Sequence, residues 1–481
     1  MPAGHIAGTA QTGTLLPHRR FTAGGEEYLY AAESGGLFRM DTEIRKALSA
    51  LPGPESAAVP PEILSDLRRA GLLRAGGGAG SAAPATPPPF RPRTMVLLLT
   101  YACNLACRYC YEDHEGCTDS RGGTGAGAGR ESPGPDAPAE MSPEALRRSV
   151  AYLLDRAASP KVSVTFFGGE PLLRFPLLKT AVVDARKMAA ERGKEISFSV
   201  TTNGTLLTRE IAGFLRENRV SVCISIDGPP EIHDRNRPYA SGRGSYEDVE
   251  RGVAYFRERD DGFPLAARVT LGRGAVDVRK TFGHLRGLGF DEVGFAPASA
   301  AEGSPAALTG RELDRVMEEF RQLAAGYVED VRERRMPAFS NLSQILALIH
   351  RGDPMPYPCG AGIGMLAVDP SGTFYPCHRL CGIGDSFGDP GAGIAEGARV
   401  RFLEAARDRR GNACDACWAK NFCSGGCYHD AYLRQGDLFA PAVHYCRWIR
   451  ELFLLGLQTY VRIQNETPTF LDVMLGERGV A

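Results

Sequence analysis

Between residues 94 and 296 the chain repeats one pattern, a short apolar run followed by an amphipathic stretch of helical period. The runs fall at 95–100, 161–167, 196–201, 220–226, 265–271 and 291–296, and the helical stretches at 142–156, 176–192, 208–218, 245–257 and 278–288. Near-continuous apolar strands that alternate with helices are buried on both faces, which predicts a parallel sheet covered by helices. Six such units predict an α/β fold, a partial (β/α)6 barrel over 94–300. Ser142 is placed to cap the first barrel helix, with Pro143 at its first position. The chain is 481 residues long, beyond the roughly 250–300 residues that one core sustains, so further domains are expected. Strand-like runs at 28–31 and 36–40 and helical runs at 42–51 and 61–70 predict a small winged-helix-like domain over 1–75. Residues 76–93, rich in Gly, Ala and then Pro, read as a flexible linker. A Gly-, Ser-, Pro- and Asp-rich insertion at 117–140 reads as disordered. A helical bridge over 301–357 leads to a Gly-, Pro- and Cys-rich domain at 358–481 that ends in a helix.

Chemistry concentrates behind the first strand, at Cys103, Cys107 and Cys110 in C-x3-C-x2-C spacing. Three thiolates on one tight loop can hold three irons of a [4Fe–4S] cube and leave the fourth iron open. A zinc site is the bland alternative; it needs four ligands, and His114 is the nearest candidate for the fourth. Active sites of β/α barrels form at the C-terminal ends of the strands. Gly168, Gly169 and Glu170 follow the second strand there, Thr202, Asn203 and Gly204 the third, Ser225 and Asp227 close the fourth, and Arg268 lies on the fifth. Singly these are turns, caps and an ion-pair partner; together they form a constellation. A second cysteine group comprises Cys359, Cys377, Cys381, Cys414, Cys417, Cys423, Cys427 and Cys446, for which a zinc ribbon is the bland reading. Cys223 reads as a core residue of its strand, and Cys117 opens the insertion. No secretory signal is visible, so the expected compartment is cytoplasmic, where thirteen cysteines are better explained by ligation than by disulfides. No apolar run approaches the ~20 residues of a membrane span. A formal net charge of −1 argues against an extended nucleic-acid surface.

The triplet, the Gly168-Gly169-Glu170 motif and the order of the later strand motifs resemble the radical S-adenosylmethionine (SAM) superfamily. The resemblance implies SAM chelated to the open iron by its amino and carboxylate groups, with Glu170 near the amino group. Asn203 and Ser225 would then meet its ribose or methionine portion, and the segment around Tyr109 its adenine. One electron would cleave SAM to a 5′-deoxyadenosyl radical. Arg268 is a candidate carboxylate partner through its donor fork. The C-terminal cysteines resemble the SPASM domain of peptide-modifying radical SAM proteins. That pattern implies two auxiliary [4Fe–4S] clusters, one on Cys414, Cys417, Cys423 and Cys446, the other on Cys359, Cys377 and Cys427 with Cys381 or an open site as the fourth position. His378, where some sulfatase-maturating enzymes carry an Asp, is a candidate base or a partner of the cluster. Residues 1–75 are similar to PqqD-type recognition elements, which implies a leader peptide added to a sheet edge. Tyr375-Pro376-Cys377-His378-Arg379 and Ser225-Ile226-Asp227-Gly228-Pro229 with His233 and Asp234 resemble thioether-forming maturases of the SCIFF and quinohemoprotein amine dehydrogenase type. The expected function is thioether formation on a precursor peptide or small protein, with a flavodoxin- or ferredoxin-type electron donor. Carbon–carbon or carbon–oxygen crosslinking, epimerisation or oxidation is the alternative, and a non-catalytic iron–sulfur carrier or leader-binding adaptor a further one.

Overall fold

The computed structural model describes residues 14–51, 59–74, 86–111, 138–259, 262–274, 276–301, 303–352, 355–409, 414–442 and 445–475. His114, Cys117, most of the predicted insertion and residues 76–85 of the predicted linker lie outside the described residues.

The N-terminal unit holds β1 (Thr14–Leu15), β2 (His18–Ala23), β3 (Glu26–Ala31) and β4 (Gly36–Arg39), then α1 (Thr42–Ala50), α2 (Pro61–Arg69) and β5 (Leu73–Arg74). β2, β3 and β4 form an antiparallel sheet in that order, and β1 pairs with β5. β2 was not expected: its sequence HRRFTA carries three cationic or imidazole side chains in a row, which masks the period-two pattern.

The six barrel strands form at nearly the predicted bounds: β6 (Thr94–Leu98), β7 (Lys161–Phe167), β8 (Glu195–Thr202), β9 (Val220–Ser225), β10 (Leu265–Leu271) and β11 (Glu292–Pro297). They pair in parallel, in sequence order. Two further strands extend this sheet beyond β6: β12 (Met365–Val368), parallel to it, and β13 (Phe374–Tyr375), antiparallel to β12. The C-terminal residues are therefore hydrogen-bonded into the barrel sheet. Val162, Val164 and Phe166 of β7 are buried, while Ser163 and Thr165 bond across to neighbouring strands, Thr165 Oγ1 to Ser199 Oγ at 2.9 Å. β7, β8 and β9 thus alternate apolar and small residues, the apolar ones on the buried face, whereas Met95 to Leu98 of β6 are all buried.

Between the strands run α3 (Pro143–Arg156), α4 (Phe175–Glu191), α5 (Arg209–Glu217), α6 (Pro230–Asn236), α7 (Tyr246–Arg257) and α8 (Val278–Gly287). The Ser142 hydroxyl accepts from Ala145 N at 3.1 Å, capping α3. α9 (Gly310–Arg332) and α10 (Ser340–Arg351) supply the helical bridge, with Phe320 packed on Phe339 and on Trp448 of the long helix Cys446–Glu466. The N-terminal sheet docks on the C-terminal region: Tyr30 stacks on Phe422 at 5.0 Å, and Lys420 meets Glu33 at 2.7 Å. Among the described residues no helix is long and apolar enough to cross a membrane.

Candidate active site

Past β6 the chain turns into the loop that carries the cysteine triplet. Thr100 O accepts from Gly169 N, and Ala102 O from Glu170 N, each at 2.9 Å, so the end of β7 grips the start of that loop. The two glycines make this grip possible. A Cβ on Gly168, whose φ is +126°, would lie 2.2 Å from Thr100 O, and one on Gly169 would lie 2.3 Å from Ala102 O. Both neighbours are backbone and cannot rotate away. Gly169→Ala is expected to push the loop off its seat at an overpacking cost of about 1–3 kcal/mol, read as a lower melting midpoint and less iron bound per chain. An unchanged midpoint and iron content would show that the loop relaxes freely.

Glu170 differs from its expected position. At the ends of β7 and β8 the site cavity is lined by Gly168, Gly169, Thr201, Thr202 and Asn203, while Glu170 does not line it and is fully buried. Its carboxylate accepts from Leu172 N at 2.9 Å, Thr202 Oγ1 at 2.7 Å and Asn203 N at 2.7 Å. Burial pushes this carboxyl up to about 7 even against those three donors. Glu170 ties the end of β8 to the end of β7 and so fixes Asn203. Asn203 Nδ2 donates to Asn104 Oδ1 at 2.8 Å and approaches Cys103 Sγ at 3.8 Å, while Leu105 N points at the same sulfur from 3.4 Å. Donors aimed at a ligating thiolate tune the metal group it holds.

Tyr109 lines the cavity, and its hydroxyl donates to Asp227 Oδ2. Asp227, 1% exposed, also accepts from Arg237 Nη2 at 3.1 Å, Thr270 N at 2.9 Å and Asn236 Nδ2 at 3.3 Å. The Arg237 guanidinium lies 5.3 Å over the Tyr109 ring. His233 completes the cluster, its Nδ1 accepting from Asp227 N at 3.3 Å. Burial holds its imidazole down at about 4, so it is neutral and serves as an acceptor. Sequence reasoning noticed Asp227 and His233 but missed Arg237 and Asn236; the signal was their position on and just after α6, directly behind the Ser225–Pro229 run.

The cavity, 580 Å³, runs from Cys103, Cys107 and Cys110 along the inward residues of β9, β10 and β11. Ser225 and Arg268 line it, and the register places Arg268 opposite Gly294, where a Cβ would meet the guanidinium at 2.9 Å. Cys223 also lines it, which corrects the expectation of a core residue: Val222 and Ile224 take the buried face of β9, and period-two alternation turns Cys223 inward with Ser225. From the C-terminal side His378 and Arg379 close the same cavity. His378 packs at 4.4 Å from the Phe167 ring, with Nδ1 3.9 Å from Cys377 Sγ. Arg379 lies 4.7 Å over Tyr111, donates to Ser299 Oγ at 2.8 Å and faces Asp430 at 3.9 Å. Its place in the site was not anticipated.

The remaining cysteines gather in two sets. Burial first, then the neighbouring Cys427 and Cys359, raises the Cys377 thiol, and burial first, then Cys446 and Cys414, raises the Cys423 thiol. A second cavity, 340 Å³, is lined by the latter four together with Cys427. Cys381 is fully buried in an apolar cluster with Val96, Leu98 and Ala367. Burial pushes the Cys103 and Cys377 thiols up to about 12, an environment that disfavours a bare thiolate. A bound cation reverses this, because a coordinating thiol is deprotonated outright. Among the described residues no three Cys, His, Asp or Glu side chains converge on one single-ion site. Sulfur-only donor sets are the kind that iron–sulfur clusters take.

Residues 97–277 match the radical SAM superfamily. The serine-type anaerobic sulfatase-maturating enzyme of Bacteroides thetaiotaomicron is 36% identical over 160 residues, covering 33% of this chain and 35% of that protein. The cysteine-type enzyme of Clostridium perfringens is 31% identical over 168 residues, covering 35% and 41%. The chain thus spans well under half the length of these curated relatives. The structure of native anSMEcpe with bound AdoMet and Cp18Cys peptide shares the fold, with a TM-score of 0.63 at 20% identity over 78% of this chain and 99% of that one.

Proposed function

Residues 97–277 are a radical SAM domain, and from that premise we propose that the chain is an enzyme that reductively cleaves SAM and modifies a ribosomal peptide or small protein. The finer reading is thioether formation from a substrate cysteine. The observation that carries the peptide-maturase reading is the shared cavity: His378 and Arg379, next to Cys377, close the same space that Cys103, Cys107 and Cys110 open. A solved relative of this fold holding both AdoMet and a peptide supports the substrate class. When bound, SAM on a reduced cube supplies the hydrogen-abstracting group.

The protein's own residues position and protect. Cys103, Cys107 and Cys110 hold the cube; Asn203, Ser225 and the Tyr109 segment orient the nucleoside, and Arg268 offers a fork to a carboxylate. His378 is the candidate base for the substrate thiol proton. Cys359, Cys377 and Cys427 would hold one auxiliary cube with a position open to that thiol, and Cys414, Cys417, Cys423 and Cys446 the other. Bond formation would convert S–H and C–H into C–S, with one hydrogen atom leaving in 5′-deoxyadenosine, one proton going to the base and one electron left over, for which the auxiliary cubes, when present, would supply an acceptor. Residues 1–75 would bind the leader.

The test is anaerobic reconstitution with iron and sulfide, then dithionite and SAM, with a cysteine-containing precursor peptide present or absent. Expected are 5′-deoxyadenosine, iron well above one cube, and a peptide product lighter by two hydrogens per crosslink. A product of another mass would favour the oxidation or crosslinking alternative. No deoxyadenosine from fully loaded protein, with and without peptide, would leave the carrier or adaptor reading.

A further inference from the structure

Arg409 is 8% exposed and stands at the end of α11 (Glu396–Asp408). Its guanidinium donates to Gly425 O, to Gly426 O at 2.6 Å and to Leu438 O at 3.3 Å, and lies 4.7 Å over the Tyr428 ring. These contacts hold it against the Gly425–Gly426 turn that separates Cys423 from Cys427. Gly425 has φ +88°, and a Cβ there would meet Arg409 Nε at 2.6 Å, so the turn is shaped around the arginine. Its charge reaches Cys414 and Cys423 of one cysteine set and Cys359 and Cys427 of the other. Among the described residues no carboxylate pairs with it, and its Nε is buried without a hydrogen-bond partner. A buried guanidinium without a countercharge is costly to desolvate. Carbonyl oxygens solvate it without neutralising it.

We propose that Arg409 is the shared countercharge of the two C-terminal cysteine sets, a positioning residue that ties their reduction potentials together. The inference rests on the reading of those sets as auxiliary clusters. A cube on thiolates is anionic and becomes more so on reduction, so a nearby fixed cation favours the reduced form and raises the potential. Hydrogen bonds and net charge around the sulfurs are the protein's levers on such potentials, and Arg409 acts on both sets from one point.

The experiment is an EPR-monitored redox titration of anaerobically reconstituted wild type, R409M and R409K, with iron counted for each. For R409M with wild-type iron, both auxiliary signals are expected to titrate lower. The reduced-to-oxidised ratio at fixed potential should fall about tenfold, which is 59 mV for one electron, while the signal of the Cys103/Cys107/Cys110 cube stays in place. R409K keeps the charge but not the fork, and is expected to titrate with the wild type. Unchanged auxiliary potentials in fully loaded R409M, or equal shifts in R409M and R409K, would overturn the proposal by leaving Arg409 as a brace for the turn. Should R409M fail to load, R409K at wild-type potentials supports the countercharge, and R409K failing in the same way overturns it. Iron for only one cube in the wild type would instead strike the multicluster reading itself.

Discussion

Replacing Cys103, Cys107 and Cys110 together by Ala is expected to abolish 5′-deoxyadenosine formation while leaving the C-terminal iron in place. The three thiols open onto the 580 Å³ cavity and belong to a loop, not to the sheet, so their loss removes ligands without removing a strand or a core side chain. The loop stays seated, because its anchors are backbone bonds from Thr100 O to Gly169 N and from Ala102 O to Glu170 N. Thermal stability of the metal-free protein should therefore change little. The effect on the reaction is all or nothing: with no thiolate left at the triplet there is no site-differentiated iron for SAM, and no other described residue on that loop offers a sulfur. Iron per chain should fall by one cube's worth in anaerobic preparations, while the absorbance of the remaining clusters persists. Deoxyadenosine at the wild-type rate from the triple variant would mean that the chemistry starts elsewhere in the chain. Complete loss of iron would mean that the C-terminal sets depend on this loop for assembly.

How much of this could be read beforehand depended on the range of the interaction. The barrel strands declared themselves because each is a short apolar run flanked by helices, a local pattern, and the cysteine triplet is local as well. The close spacing of Cys414, Cys417 and Cys423 is a local signal of the same kind. What stayed hidden was what folding brings together from a distance. β12 pairs with β6 across more than two hundred and fifty residues, and no periodicity in either segment announces the partner. Arg379 lies in the cavity because β12 and β13 carry the C-terminal region onto the barrel's edge. The sequence suggests a ligand-facing carboxylate at Glu170, but three donors from Leu172, Thr202 and Asn203 occupy it, and only the fold places them there. Cys passes for an apolar residue, so the β9 sequence suggests a uniformly buried strand, whereas only alternate residues are buried and Cys223 lines the cavity.

Removing the carboxylate of Asp227 should be the most destabilising single substitution near the site. Arg237, 6% exposed, pairs with Asp227 through Nη2, which also donates to Thr270 Oγ1 at 3.3 Å, and its buried Nε has no hydrogen-bond partner among the described residues. Asp227→Ala would leave that guanidinium buried and uncompensated, which costs about 3–5 kcal/mol when one member of a buried pair is deleted. That is a large fraction of the roughly 5–15 kcal/mol by which domains are stable. It would also release the Tyr109 hydroxyl and the Thr270 amide from their acceptor, loosening the loop that carries Cys107 and Cys110. Asp227→Asn keeps the shape and one acceptor oxygen but loses the charge, so it should sit between Asp227→Ala and the wild type. Denaturant unfolding of the metal-free single variants and of the double variant Asp227→Ala/Arg237→Met separates the causes. If the orphaned cation dominates, removing it as well should restore part of the loss, giving a coupling energy of about 0.5–3 kcal/mol. A double variant as unstable as Asp227→Ala with Arg237→Met added independently would place the loss in the bonds to Tyr109 and Thr270, and Asp227 would then be an anchor for the cysteine loop first and a countercharge second.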